Sequence, residues 1–417
     1  MERGMLTKKK KIIPLLLAFF VLESLGSPYI TWAVLMAAML IDLYLHGMRI
    51  RIGMLGFEKM LGTIMLIGVA SGLIAFSAGK VSTWFLTRDV IRVSCVPLYW
   101  YFGRKFSKEN AQNDGSLFRT VFLFAFLNSI FQLGYTVANI SEVSNLYDLA
   151  SQRIMAEGTL AIGAFLCFFK PSDIGKHYFG PALDRLFSAV ILLTFASSFS
   201  RTTYVIFACL VLFCGVKNVK ALLKIVIVVA AGAAVLFFAF PDITQEFLEK
   251  ILNSVAEMFV SNREWQSSDI VDNWRSYEVY CAQIELSKYS VFEKLFGKGF
   301  GKTVDALGYA YLVTTDDSLP YLHNGYYTFL IKTGLVGLLC VICYWISLIK
   351  LSGKIGNSYR KRFSYGLVIS MAISMMVTMG IFWNCADMVM VIMLGWLVTE
   401  GLADFRKKKK TASGYKR

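Results

Sequence analysis

The stretch Met60–Ala78 reads MLGTIMLIGVASGLIAFSA and contains no charged residue. A helix needs about 20 mostly apolar residues to cross the hydrocarbon core of a bilayer. Two further runs, Lys220–Phe240 and Gly325–Ile349, are of similar length and almost as apolar. A helix in the core of a soluble protein would show a polar face, and most of these runs show none. They therefore predict membrane-spanning helices.

The same pattern continues along the whole chain and predicts an all-α polytopic membrane protein with about 12 transmembrane helices. The predicted spans are approximately 12–26, 28–46, 60–78, 85–102, 117–136, 153–169, 186–200, 202–216, 221–240, 325–349, 363–383 and 386–401. They divide the chain into an N-terminal membrane bundle of about nine helices (1–240), a large loop (241–322), C-terminal membrane helices (323–405) and a basic tail (406–417).

The distribution of basic residues predicts the orientation. The net charge is +15, but the basic residues gather in short loops between apolar runs, and no nucleic-acid-binding motif accompanies them, so no nucleic-acid partner is expected. Of the 43 Lys and Arg residues, 29 fall in segments on the N-terminal side of the membrane. Cytoplasmic loops carry this excess, so both termini are predicted to be cytoplasmic and the large loop extracytoplasmic.

The large loop has the pattern of a folded segment. Loops of this length in a compact protein are usually functional or disordered. Apolar residues recur at helical spacing in two parts of it, at Phe247, Ile251, Val255 and Met258, and again at Trp274, Tyr277, Cys281, Ile284 and Val291. At least two short helices are expected, with a tight turn at Gly297–Lys302.

His323 lies where the large loop re-enters the membrane. A neutral imidazole can accept a proton near pH 7, because the unperturbed pKa of histidine is about 6.5. From position alone, a helix-capping or interfacial histidine is an equally good interpretation. No His or Cys spacing supports a metal site, and no metal or cofactor is expected.

Several charged residues lie at the outer ends of predicted spans. Arg201 is alone in a very short outer connection, where it either serves a function or extends to the interface. Arg88 and Arg92 lie one turn apart in the fourth span. Charges inside the membrane are costly and indicate functional sites by default, although Asp89 could neutralise one arginine structurally.

Two further pairs repeat this pattern. Arg153 and Glu157 lie at the outer end of the sixth span, and Arg275 and Glu278 share a helix face in the large loop. A solvated ion pair is the commoner interpretation of the second spacing. Several arginines around one aqueous pocket would also suit phosphate or pyrophosphate, which guanidinium groups bind through paired hydrogen bonds.

The segment Leu322–Gly337, LHNGYYTFLIKTGLVG, resembles the signature of the O-antigen polymerase and ligase superfamily. That family shows a His-Asn pair, an aromatic and apolar stretch, and a Gly-Leu-hydrophobic-Gly motif. Leu295–Gly301, LFGKGFG, is similar to its glycine turn, and Ser200-Arg201 to its Ser-Arg between two spans. The helix count, termini and single outer loop also agree.

The resemblance implies a GT-C-like, metal-independent glycosyltransferase that uses undecaprenyl-pyrophosphate-linked sugars. It implies His323, Arg201 and Arg275 as catalytic residues. The remaining expected substrate-binding residues are Arg88, Arg92, Arg153, Glu278, Asn324 and Tyr326. For Arg153 the match departs from the family pattern, because the Asn-rich continuation is absent.

Three functions follow as expectations, with the bacterial cytoplasmic membrane as location. The favoured one is a polymerase that joins lipid-linked oligosaccharide repeat units, since polymerases vary most in sequence. A ligase that transfers glycan to lipid A core is the alternative within the family. A lipid-linked oligosaccharide flippase is the alternative from another class, although no internal repeat supports it. A polymerase implies lipid-linked donor and acceptor, the bilayer, and a flippase and chain-length regulator as partners.

Overall fold

The computed structural model describes residues 16–23, 27–45, 55–109, 115–142, 156–215, 265–312, 318–384 and 387–414, with scattered positions between 223 and 249. This part of the chain is helical, with short 3-10 turns and an isolated antiparallel bridge between Val304 and Leu319. The helices, in chain order from α1 to α13, are Pro28–Leu45, Gly56–Ser77, Thr83–Glu109, Ser116–Ala138, Glu157–Phe168, Pro181–Ser197, Arg201–Gly215, Ser267–Asp272, Trp274–Ser287, Val291–Phe296, Gly325–Ser352, Ser358–Ser374 and Met388–Gly414.

Four of the described helices, α1, α2, α4 and α11, are long and apolar enough to cross a membrane. Three shorter apolar helices, Glu157–Phe168, Arg201–Gly215 and Met388–Ala403, accompany them. The surface of the long helix α2 is apolar as well, since Leu66 and Ile74 are exposed on it. Because an apolar outer surface suits lipid and not water, the chain is an all-helical, polytopic membrane protein in its described part.

The bundle is held by long contacts between helices that are distant in sequence. Helix α13 packs along α3, α11 along α2, and α12 along α7. Aromatic residues also join α3 to both α2 and α11: the rings of Phe57 and Trp100 lie 4.4 Å apart, and the Trp100 indole donates to the Tyr344 hydroxyl at 2.9 Å. Buried aromatic rings whose polar atoms find partners fix the relative positions of the helices.

Two helix ends differ in how well the sequence predicts them. A break lies between α6, which ends at Ser197, and α7, which begins at Arg201, where the sequence places one. The predicted span 363–383 is too long, because α12 ends at Ser374. Beyond it, the carbonyls of Met375 and Thr378 accept from the amide of Gly325. The segment after α12 therefore packs against the start of α11.

Helix α11 is broken in its middle. Gly334 has φ 64° and ψ −166°, which is not helical. A helix break leaves carbonyls on its N-terminal side without intrahelical donors. The carbonyls of Ile331 and Lys332 accept from the amides of Lys298 and Gly299, at 3.1 and 2.9 Å. The turn Gly297–Lys302 of the outer segment, called the glycine turn from here on, therefore inserts at the break of α11.

The predicted outer segment 241–322 contains α8, α9 and α10 in its described part. Helices α8 and α9 pack on a separate small core that includes Tyr277, Cys281 and Leu322. The helical spacing expected to run on to Val291 is interrupted, since Ser290 caps the new helix α10. The helix expected at 247–258 lies outside the described residues. At the C-terminus α13 runs into the expected basic tail.

Candidate functional site

Glu278 and His323 form the centre of the site. The Glu278 carboxylate accepts from the backbone amide of His323 at 2.6 Å and lies 2.9 Å from the Nδ1 atom of the same residue. Its side chain is 3% exposed, whereas that of His323 is 35% exposed. The Nδ1 edge of the imidazole therefore contacts a buried carboxylate, while part of the ring is exposed at the surface.

Helix α9 places Glu278 against the loop core. Tyr277 and Cys281 bury one side of the helix, and the Tyr277 hydroxyl donates to the carbonyl of Ala306 at 3.0 Å. The Trp274 indole, one turn earlier, donates to Glu278 at 2.6 Å. Both oxygens of the carboxylate are thus occupied by the protein. The carboxylate is buried, so the expectation of a solvated group is wrong, whereas the expected role of Glu278 in substrate binding stays a prediction.

Burial keeps the side chains of this core uncharged. It raises the pKa of the Cys281 thiol to about 12, and the pKa of the Tyr277 hydroxyl also rises, first because of burial. Both groups stay neutral at physiological pH and pack as apolar neighbours of α9. The polar groups of the site beside them are Glu278 and His323.

Asn324 and Tyr326, which follow His323, have structural contacts. The Asn324 side chain accepts from the amides of Tyr326 and Tyr327, at 3.1 and 3.2 Å, and caps α11. Asparagine at this position satisfies amides that the first helical turn leaves free. The Tyr326 hydroxyl donates to the carbonyl of Ala372 at 2.8 Å. These contacts hold the residue before them, His323, at the start of the helix.

Two arginines of α3 lie beside Tyr321, two residues before His323. The Arg92 guanidinium donates to the Tyr321 hydroxyl at 3.1 Å and lies 4.5 Å from its ring. The Arg88 guanidinium lies between the rings of Phe85 and Tyr321, at 4.5 and 5.3 Å. Arg88 is only 6% exposed, and its Nε and Nη2 atoms have no hydrogen-bond partner among the described residues. Buried donors of this kind are costly unless a ligand occupies them.

Asp89 pairs with a lysine that the sequence analysis did not single out. The Lys332 ammonium contacts the Asp89 carboxylate inside the bundle, and Asp89 also accepts from the amide of Gly301 at 2.6 Å. The Arg88 Nε atom lies 3.9 Å away from Asp89, too far for a hydrogen bond. The interpretation that Asp89 neutralises an arginine is therefore incomplete. The available signal was Lys332 itself, the one charge in an apolar run.

Lys298 and Lys302 of the glycine turn both contact Glu285 of α9, at 3.2 and 2.8 Å. Burial alone would raise the pKa of Glu285. The hydrogen bonds and positive charges of the two lysines outweigh it, and the pKa is lowered from its usual value. The carboxylate is charged at neutral pH. It therefore ties α9 to the turn that docks at the break of α11.

The other expected arginines are placed as follows. Arg275 lies on α9 one turn before Glu278 and is half-buried. Arg201 is the first residue of α7, and the Ser200 hydroxyl before it donates to Glu157 at 2.5 Å. The catalytic role expected of Arg201 stays a prediction. Arg153 lies outside the described residues.

Among the residues that the structure describes, no three His, Cys, Asp or Glu side chains are grouped as metal ligands would be. What the site does offer is a partly exposed imidazole on a buried carboxylate, and a pair of arginines that contact Tyr321, two residues before that histidine. The first can take a proton, and the second can bind an oxyanion.

Residues 186–342 match the family model described as O-antigen ligase, and this segment contains Arg201, Arg275, Glu278 and His323. The match confirms the resemblance to the O-antigen polymerase and ligase superfamily, whose members are glycosyltransferase-like enzymes, although it covers less than half of the chain. No curated protein matches the chain.

Proposed function

We propose that this chain is an oligosaccharide repeat-unit polymerase, which joins undecaprenyl-pyrophosphate-linked units by metal-independent glycosyl transfer. The observation that carries the proposal is the Glu278–His323 pair, with its half-exposed ring, two residues from the Tyr321 that contacts Arg88 and Arg92. A proton acceptor beside an oxyanion site is what transfer from a pyrophosphate-linked donor requires.

The reaction forms one bond and breaks one. A hydroxyl oxygen of the acceptor sugar attacks the anomeric carbon of the donor, and the bond from that carbon to the pyrophosphate oxygen breaks. The hydroxyl proton goes to His323. The electron pair leaves with the pyrophosphate, and inversion at the anomeric carbon follows from a direct displacement.

The arginines stabilise the leaving group. The unpartnered Nε and Nη2 donors of Arg88 suit two oxygens of one phosphate, and Arg92 adds a second positive charge. Arg201 and Arg275 contribute further charge, as their positions in the family motifs imply. Charge growing on the pyrophosphate in the transition state is then met by guanidinium groups that are already in place.

The proposal includes the setting of the enzyme. Twelve spans in a GT-C-like architecture, with both termini cytoplasmic, would place the site on the outer face of the bacterial cytoplasmic membrane. The excess of Lys and Arg in the opposite loops supports this orientation. Donor and acceptor would reach the site through the bilayer, supplied by a flippase, and a chain-length regulator would limit the product.

A ligase is the second candidate, because the matching family model carries that description. It would use the same donor and the same leaving group. The acceptor alone would differ, lipid A core in place of a second lipid-linked glycan.

The test uses cells of the source bacterium from which the gene for this chain has been deleted. Restoring the wild-type chain should restore a ladder of glycan on the lipid carrier, and His323→Ala should abolish it. His177→Ala is the matched control, since His177 is an exposed histidine of a predicted cytoplasmic loop and should leave the ladder intact. An undiminished ladder with His323→Ala removes the proposed mechanism, and glycan found only on lipid A core identifies a ligase.

A further inference from the structure

Glu278 holds His323 at two points. One carboxylate oxygen accepts from the backbone amide of His323 at 2.6 Å, and the other lies 2.9 Å from Nδ1 and also accepts from the Trp274 indole at 2.6 Å. Main chain and ring of His323 are thus fixed by a single buried side chain. Neither the Trp274 contact nor burial on α9 lets the carboxylate turn toward solvent.

A carboxylate accepts hydrogen bonds and does not donate them, so the Nδ1 atom beside it carries the hydrogen. A neutral imidazole with hydrogen on Nδ1 has its free electron pair on Nε2. The ring is 35% exposed although its Nδ1 side faces a buried group, which leaves the Nε2 side for a substrate.

We propose that Glu278 is a positioning residue for glycosyl transfer, which keeps His323 in the tautomer whose Nε2 accepts the proton of the acceptor hydroxyl. This inference rests on the proposed function. When the proton moves from the hydroxyl oxygen to Nε2, the ring becomes positive, and the negative charge of Glu278 stabilises it. Glu278 itself touches neither the substrate nor the moving proton, which stays on Nε2.

A purely structural role would have different consequences. Glu278→Gln keeps the size of the side chain, but its amide nitrogen donates, while the backbone amide of His323, the Trp274 indole and Nδ1–H are donors too. One of them would lose its acceptor, or the ring would change tautomer and present hydrogen from Nε2. The wrong tautomer of a catalytic histidine costs on the order of 10⁴-fold in kcat in serine proteases.

The experiment measures kcat and KM of the purified full-length chain in proteoliposomes. The probe is undecaprenyl-pyrophosphate-linked repeat units extracted from the source bacterium lacking this gene. Glu278→Gln should lower kcat by about 100-fold or more with KM within about threefold of wild type, as expected for loss of general-base catalysis. Glu278→Asp, which retains a carboxylate acceptor, should recover part of the loss.

Glu285→Gln is the matched control, the same exchange at another buried carboxylate of α9. It should lower thermal stability and leave kcat within about twofold of wild type. On the residual rate that His323→Ala leaves in proteoliposomes, Glu278→Gln should have no further effect, because residues that act as a unit are not additive.

The outcomes separate the two proposals. Loss of product with His323→Ala together with unchanged kcat for Glu278→Gln would overturn the positioning role alone. So would an effect confined to KM, or a full additional loss on the His323→Ala background. Full activity of His323→Ala would overturn the proposed mechanism itself. If Glu278→Gln fails to fold, Glu278→Asp and its double variant with His323→Ala give the same comparison.

Discussion

Lys332 and Asp89 form an ion pair that is closed to solvent on both sides, with side chains 1% and 0% exposed. The Lys332 ammonium also donates to the carbonyl of Lys302 at 2.8 Å, and Asp89 accepts from the amide of Gly301. The pair therefore joins α3, the broken helix α11 and the glycine turn. Three separate segments of the chain therefore meet at this ion pair.

Replacing Lys332 with Met should destabilise the chain strongly, because it leaves a buried carboxylate without its cation. Removing one partner of a buried pair costs about 3–5 kcal/mol. Lys350→Met, on the exposed face of the same helix, is the control and should change stability by less than about 0.5 kcal/mol. Thermal unfolding of the detergent-purified chain measures both. Adding Asp89→Leu to Lys332→Met should recover part of the loss, and equal unfolding temperatures for wild type and Lys332→Met would contradict the prediction.

A methyl group at Gly299 should prevent the glycine turn from docking. Gly299 has φ +89°, and a Cβ there would lie 2.0 Å from the amide nitrogen of Gly72 in α2. Gly308→Ala is the control, with φ +86° and no atom within 4 Å. Both exchanges pay about 1–2 kcal/mol for the left-handed backbone, but only Gly299→Ala adds a backbone clash. Size-exclusion chromatography of a fluorescent fusion should show little folded Gly299→Ala and nearly normal Gly308→Ala; similar yields would argue against insertion.

Labelling of intact cells, with the outer envelope made permeable, should reveal the orientation. A membrane-impermeant maleimide should react with Tyr311→Cys, which lies exposed on the large loop, and not with Lys176→Cys, exposed on the predicted cytoplasmic side. The native Cys281 should stay unlabelled although it belongs to the same loop, because it is buried and its pKa is raised to about 12. Labelling of Lys176→Cys without lysis would reverse the proposed topology.

The link between Glu285 and the two lysines should make stability depend on acidity. Because the pKa of Glu285 is lowered in the folded chain, its contribution is present above the usual carboxyl range and is lost as pH falls through the lowered value. Glu285→Gln should therefore unfold at a lower temperature than wild type at pH 7, and this difference should shrink below about pH 4. Thermal scans of both proteins at pH 7 and pH 3.5 measure it. A difference that is the same at both pH values would show that Glu285 does not act through its charge.

Arg88→Lys should keep the charge and lose the forked geometry that binds phosphate oxygens. We expect polymer formation to fall about tenfold or more, a loss of about 1.4 kcal/mol in transition-state stabilisation. Arg185→Lys, an exposed exchange on a predicted cytoplasmic loop, should leave it unchanged. Initial rates in proteoliposomes provide the measurement, and an unchanged rate for Arg88→Lys would exclude its guanidinium from the site.

Apolar length predicted the helical membrane class, and local signals predicted the break before Arg201 and the tight turn at Gly297–Lys302. These features depend on short stretches of chain. The break of α11 at Gly334 was not predicted, because Gly325–Ile349 reads as one continuous span and glycine is common in membrane helices. The glycine turn that hydrogen-bonds at this break belongs to another segment, which lies earlier in the sequence.

Contacts between side chains that are distant in sequence could not be predicted for the same reason. Helical spacing linked Glu278 to Arg275, whereas the structure uses Glu278 to hold His323, which is 45 residues away. Likewise, Asp89 was expected to neutralise one arginine of its own span, while its ammonium partner, Lys332, lies 243 residues further along the chain. Periodicity reports which face of a helix a residue occupies, and it carries no information about the element that packs against that face.

Because amides of the glycine turn complete the hydrogen bonding of a severed α11, the outer segment cannot be exchanged between relatives as a detachable module. A chimera that imports a foreign segment would leave the carbonyls of Ile331 and Lys332 facing the wrong backbone. A transplanted segment would need to bring its receiving halves of α11 and α2 with it.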